Sequence, residues 1–254
     1  MHMADALLTP AVAGVMYAAS AVVAGASIVE LHKEEKQDLT SAAKKLPTMA
    51  VMSALVFAGQ MINYTIPGTG SSGHLCGGLL LTSVLGPWAG FLSMIVILAI
   101  QCLFFADGGL LALGANVWNM AFYGCFVGYF LIYRPLMRSR CFARRGERAA
   151  NRLKITLASV LGCVLTLQLG AFSVVLETTL SGITDLPFGA FCAIMQPIHL
   201  AIGLIEGLIT AAVLLFLYEA RPELLRDVRM SGETTGKVSF KGTIAVIAIA
   251  AVLV

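Results

Sequence analysis

Seven stretches of this chain are too apolar and too long to belong anywhere but in hydrocarbon. They fall at residues 9–29, 46–63, 73–86, 87–105, 110–133, 153–180 and 189–218, and they reach or approach the roughly 20 residues an α-helix needs to cross a bilayer. A spanning segment must satisfy its own backbone hydrogen bonds, so the expected fold is all-α, a polytopic membrane helix bundle. Composition agrees: 58% of residues are hydrophobic and 12% charged, well outside the range of water-soluble domains.

The third run is short, and only Gly86-Pro87 separates it from the fourth; proline disfavours helical geometry in the residue before it. Charge decides whether the break is real. The 17 Lys and Arg residues fall in three segments, four in 33–45, eight in 134–154 and five in 221–241, and positive loops stay in the cytoplasm. A break at Gly86-Pro87 puts all three segments inside, whereas one kinked helix would put the last two outside. The expectation is therefore seven transmembrane helices with the amino terminus outside. The outer pieces then lack Lys and Arg and carry Asp5, Asp107 and Asp185, a field that draws cations.

At that outer end the chain opens Met1-His2. A free amine, the next amide nitrogen and the Nδ1 of the histidine on that amide can close a five-membered and a six-membered ring around one ion. Three nitrogens in a plane suit Ni(II) or Cu(II), whose d-electrons favour tetragonal geometry, better than Zn(II), which has no such preference. The start 1–8 lacks the basic stretch of a secretory signal, and the bulk of His2 is expected to preserve Met1. A fourth nitrogen is available from His74, which follows a Gly- and Ser-rich turn, 66–73, entering the third helix on the same outer face. Cys76 is a sulfur alternative.

The other histidines fit less well. His32 sits among Lys33, Glu34, Glu35 and Lys36 in an inner loop. His199 lies within the seventh run, with Glu206 seven residues on and so on the same helix face; both are read as structural contacts. The six cysteines have no CxxC spacing. The basic stretch 134–154 lies between two membrane helices, where anionic lipid is the expected neighbour and nucleic acid is not.

The residues that carry a wider resemblance are Met1-His2-Met3-Ala4-Asp5, Ser71-Ser72-Gly73-His74-Leu75 with Gly77-Gly78, Leu85-Gly86-Pro87-Trp88, Phe105-Ala106-Asp107-Gly108-Gly109 and Gly114-Ala115-Asn116-Val117-Trp118-Asn119-Met120. In these the chain resembles the substrate-binding membrane component of energy-coupling factor transporters for nickel and cobalt, the CbiM/NikM type, with the Ser-Gly-His turn closer to the nickel branch. Ala6 departs from a frequent glycine, and the 67–73 loop is slightly longer than usual.

The resemblance implies uptake of Ni2+ or Co2+ as substrate in a bacterial or archaeal cell membrane. The ion would sit in a square-planar site of four nitrogens from Met1, His2 and His74. Asp5, Ser72, Gly73, Asn116 and Asn119 are candidates for supporting that site. It also implies no enzymatic activity and no organic cofactor in this chain, with ATP hydrolysed by partners: a transmembrane coupling subunit, two ATP-binding subunits and a small auxiliary membrane subunit. Ala50, Ala54 and Ala58 recur every four residues on the second helix and form a small-residue face suited to close helix approach, a candidate dock for the coupling subunit.

Residues 1–225 are read as the metal-binding membrane domain and 226–254 as a linker with an incomplete apolar segment, which resembles the start of a fused auxiliary subunit. Two rival functions stand beside this one. A proton-coupled secondary metal transporter could use His199, Glu206 and Glu177. An intramembrane metalloenzyme would need an open coordination position and a base, and the chain has no HExxH.

Overall fold

Every apolar run forms a helix over most of its length except the third, whose first residues are extended. The computed structural model describes residues 1–37, 39–140, 142 and 146–228. Its main helices are α1 (Pro10–Gln37), α2 (Leu39–Gln60), α3 (Gly78–Leu85), α4 (Pro87–Phe105), α5 (Leu113–Arg138), α6 (Glu147–Ser181) and α7 (Phe188–Ala220). Within α5, Val117–Tyr133 is wound as a π-helix. The five helices α1, α4, α5, α6 and α7 are long and apolar enough to cross a membrane. The apolar segment expected at 242–254 lies outside the described residues.

Two expectations need correction. The third run is not a spanning helix: α3 has 8 residues, about 12 Å at 1.5 Å per residue. Nor is the chain wholly α-helical. Strands β1 (Asn63–Ile66) and β2 (Ser71–His74) pair antiparallel, with Asn63 opposite His74 and Ile66 opposite Ser71. Glycine explains both differences. Gly68 and Gly70 take positive φ, 75° and 64°, and close a tight turn that Thr69 N–H completes by donating to the Ile66 carbonyl at 3.3 Å. Asn63-Tyr64-Thr65-Ile66 is rich in β-branched and aromatic residues and extends readily. His74 thus ends a strand, four residues ahead of α3, and does not open a helix.

The link from β2 to α3 runs as irregular backbone inside the bundle, which is tolerated only if its polar groups are paired. Glu206 of α7 accepts the N–H of Cys76 at 2.5 Å and of Gly77 at 2.9 Å. Gln60 donates to the Cys76 carbonyl at 2.5 Å. All eight residues of α3 are buried. A Cβ on Gly78 would stand 3.1 Å from Gly124 Cα, so α3 meets α5 backbone to backbone. The α6–α7 pair is similarly close, since a Cβ on Gly207 would stand 2.6 Å from Val160 Cα.

The far end of the bundle is held by ion pairs. Glu34 joins Lys45 at 2.9 Å and Arg226 at 3.1 Å; Asp227 joins Arg138 at 2.5 Å; Glu219 joins Arg152 at 3.0 Å and also meets Arg148. Arg226 N–H donates to the Ser83 carbonyl at 2.9 Å, so the chain just past α7 closes over the end of α3.

Glu206→Leu leaves two buried N–H groups unpaired, a loss of about 2–6 kcal/mol at roughly 1–3 each. Glu206→Gln, which keeps one acceptor, should lose about half as much. Thermal melting of the two purified variants checks this, and melting points equal to the parent would show that the carboxylate does not hold the α3 entry.

Candidate metal centre

The first three residues run alongside the hairpin. Met3 bridges Ser71 in antiparallel register. The His2 carbonyl accepts from Ser72 N–H at 3.2 Å and from the Ser71 hydroxyl at 3.0 Å. On the other side Asn116 takes both main-chain groups of Met3, accepting its N–H at 2.8 Å and donating to its carbonyl at 3.3 Å. Gly109 N–H adds a bond to the Met3 carbonyl at 2.9 Å. Asp5 Oδ1 accepts from Ala112 N–H at 3.1 Å, and a Cβ on Gly109 would stand 1.8 Å from that same oxygen. The Ala-Asp-Gly-Gly loop is therefore glycine-rich because the terminus lies against it.

Met1 and Met3 are fully buried, each contributing about 1.5–3 kcal/mol to docking. Burial places the terminal amine where a free amine is seldom found, donating to the Ser72 carbonyl inside the fold. Desolvation lowers its pKa from 8.0 to about 5, so at neutral pH it is uncharged and holds a lone pair.

The His2 ring stacks on the His74 ring, centroids 4.5 Å apart and planes 28° apart. His74 Nδ1–H donates to the Leu75 carbonyl at 2.6 Å. That bond fixes the tautomer and leaves the Nε2 lone pair buried with no partner. Burial, then the terminal amine and His2, hold the His74 pKa well below its usual value. Burial also lowers that of His2, against the pull of Asp107. His2 Nδ1 lies 3.0 Å from Asp107 Oδ1, an ionic contact without hydrogen-bond geometry, so both His2 ring nitrogens lack a hydrogen-bond partner. Burial raises the Asp107 pKa, but His2, Asn63 and the amine together bring it below the ordinary value; Asn63 Nδ2 donates to it at 2.6 Å. A cavity of about 330 Å³ adjoins, lined by His2, Asp5, Thr65, Ser72, Asp107 and Gly108 among others.

The structure thus brings Met1, His2 and His74 together, with Asp5, Ser72, Gly73 and Asn116 around them. Asn119 stands one layer further in, donating to Glu177 at 2.8 Å and touching the Met3 sulfur at 3.7 Å. Gly73 is small because Tyr64 crosses it, its ring carbon Cζ 2.7 Å from where a Cβ would be. Ala50, Ala54 and Ala58 are exposed on α2 and do not line this cavity. Sequence reasoning placed Asp107 only as an outer acid and as part of the Phe105-Ala106-Asp107-Gly108-Gly109 motif; its contact with His2, and Asn63 as its donor, were missed. Among the described residues no three His, Cys, Asp or Glu side chains gather at metal-binding distance. The His2 main-chain N–H makes no hydrogen bond among the described residues.

Comparison with known proteins places these features in a family. Residues 2–224 match the CbiM family, described as the cobalt uptake substrate-specific transmembrane region. A protein of Archaeoglobus fulgidus, provisionally named fused nickel transport protein NikMN, is 39% identical over 92% of this chain and 70% of its own length. The cobalt transport protein CbiM of Sorangium cellulosum is 33% identical over 70% of this chain and 76% of its own. A crystal structure of a truncated transition metal transporter superposes with a TM-score of 0.70 at 32% identity, covering 87% of this chain and 99% of that one.

A group that is neutral when docked and protonated when free makes docking pH-dependent. The free amine binds a proton below 8.0 and the docked one only below about 5. The contribution of docking is therefore whole above pH 8 and is lost as pH falls, by about tenfold per unit, until it levels near 5. The lowered His2 and His74 values act in the same direction below 6.5. Hydrogen-exchange protection of residues 1–9, corrected for intrinsic rate, should fall along that curve; protection constant across the range would contradict a neutral buried amine.

Proposed function

As this chain belongs to the CbiM family of cobalt uptake substrate-specific transmembrane regions, we propose that it is the substrate-binding component of an energy-coupling factor transporter for a divalent transition metal, nickel first and cobalt second. It is a multi-pass membrane protein. The observation that carries the reading is the buried, uncharged terminal amine beside two stacked imidazoles with unpartnered nitrogens.

In this reading the Met1 amine, the deprotonated His2 amide, His2 Nδ1 and His74 Nε2 hold the ion. His2 exchanges its contact with Asp107 for the metal, and the carboxylate stays close by as counter-charge. Four nitrogen donors in one plane favour Ni(II) over Co(II) in the general order of divalent affinities. The names of the relatives, one for nickel and one for cobalt, agree with this pair of substrates.

The same reading places the amino terminus outside. The basic ion pairs that close the opposite end then face the cytoplasm, as positively charged loops do. Seven crossings follow, the third shared between the hairpin and the eight residues of α3. ATP is hydrolysed by two partner subunits, and the coupling subunit docks on the exposed Ala50, Ala54 and Ala58 face of α2; a small auxiliary membrane subunit completes the assembly, behind a domain boundary near residue 225.

One residue inserted between Met1 and His2 keeps every side chain and breaks the ring sizes. Nickel and cobalt content of the purified protein, tagged only at its carboxyl end, should fall from near-stoichiometric to background; unchanged content would place the ligands elsewhere. Metal uptake by this chain without nucleotide-hydrolysing partners would favour a proton-coupled carrier instead.

Ala54→Trp fills the small-residue face of α2. Co-purification with the coupling subunit should be lost while metal content stays intact, and a retained complex would remove that face as the dock.

A further inference from the structure

His199 sits in α7 as a histidine with no evident task. It is completely buried. Its Nδ1–H donates to the Met195 carbonyl one turn back at 2.8 Å, and a carbonyl can only accept, so the tautomer is set and Nε2 carries a lone pair. That Nε2 is buried without a partner. An orphaned buried acceptor of this kind is costly unless something donates to it.

Its place along α7 says what stands opposite. Residues 199, 202 and 206 lie on one face of the helix. Ile202 packs on β2, its Cδ1 being 3.1 Å from where a Gly73 Cβ would be, and Glu206 holds Cys76 and Gly77. The face therefore runs along the β2–α3 segment, and His199 lies one turn from Ile202 on the side away from Glu206. That puts it beside the hairpin strand against which the amino terminus is docked. Gly73 stands between Ser72, whose carbonyl takes the terminal amine, and His74, so the helix face that carries His199 meets the strand that holds both.

The amine has the complementary deficit. An uncharged amine has two N–H groups and one lone pair; one N–H goes to the Ser72 carbonyl, the lone pair faces the ion, and the second N–H needs an acceptor. We propose that His199 is a positioning residue for the substrate ion, its Nε2 accepting the second N–H of the Met1 amine, directly or through one bound water, and so aiming the amine lone pair at the metal. The inference rests on the terminal-amine site put forward above. It assigns His199 no direct bond to the ion, and it explains why a buried imidazole is held in the tautomer that cannot donate from Nε2.

The test is Ni(II) affinity of the purified full chain with an unmodified amino terminus, using the metal alone. His199→Leu should weaken binding by about 10–100-fold, the usual effect of removing a group that orients a ligand. His199→Gln, whose amide oxygen can accept the same N–H, should restore it to within about threefold of the parent. At saturating nickel both variants should keep the visible absorption of the parent complex, because the ligand atoms are unchanged. His199→Phe offers the same comparison if the leucine variant does not fold.

Parent-like affinity in the leucine or phenylalanine variant overturns the proposal, as does equal loss in the apolar and glutamine variants, which would mark a packing role. Failure of the parent itself to bind nickel overturns the terminal-amine site and this inference with it.

Discussion

The docking of an uncharged amino terminus is the interaction on which the rest of the candidate metal centre depends. An ammonium group could not be buried here without an anion beside it, and burial removes the proton instead. Once neutral, the amine can act as both donor and ligand. The cost of its desolvation is offset by the burial of Met1 and Met3 and by main-chain bonds from Ser72, Asn116 and Gly109 to the first three residues. These contacts come from four separate parts of the chain. The centre can therefore form only after the bundle, the hairpin and the Asp107 loop are in place.

The hairpin solves a second problem. A ligand from the third run must reach His2 while the same run continues across the bundle, and a straight helix starting at Gly73 could not turn back against the amino terminus. Extended backbone can, because it exposes N–H and carbonyl groups sideways for pairing. Its drawback is unpaired polar backbone on the way to α3, which Glu206 and Gln60 satisfy. A buried carboxylate that looks like a proton carrier in sequence is thus engaged by two main-chain N–H groups. The consequence for dynamics is that His74 is tied within a few residues to a short, fully buried helix whose far end is covered by Arg226.

Charge is separated along the molecule. The acidic residue nearest the site, Asp107, faces His2, whereas the described basic ion pairs gather at the opposite end and bring α1, α2, α5, α6 and α7 together there. Such pairs on a partly exposed surface add little to stability singly. Their value lies in fixing which helix ends meet.

Sequence by itself determined the class of fold and the limits of α4, and it nominated Met1, His2 and His74. Apolar length, the Gly86-Pro87 break and the Met1-His2 chelate geometry are local properties that need no neighbours. Met1, His2 and His74 were legible as candidates because a free amine followed by histidine has chelate ring sizes and His74 ends a Gly- and Ser-rich turn. The meeting of Asp107 with His2 and Asn63 was not, since no local pattern announces it and it arises only through folding. The strand character of 71–74 was hidden by a Gly- and Ser-rich composition that reads as loop; its partner is 63–66, brought alongside by the turn at Gly68 and Gly70, and the terminus adds one bridge from Met3 to Ser71. Protonation belongs to the tertiary structure as well. The same amine is a cation in water and a neutral donor here, because only the packed bundle removes its solvent.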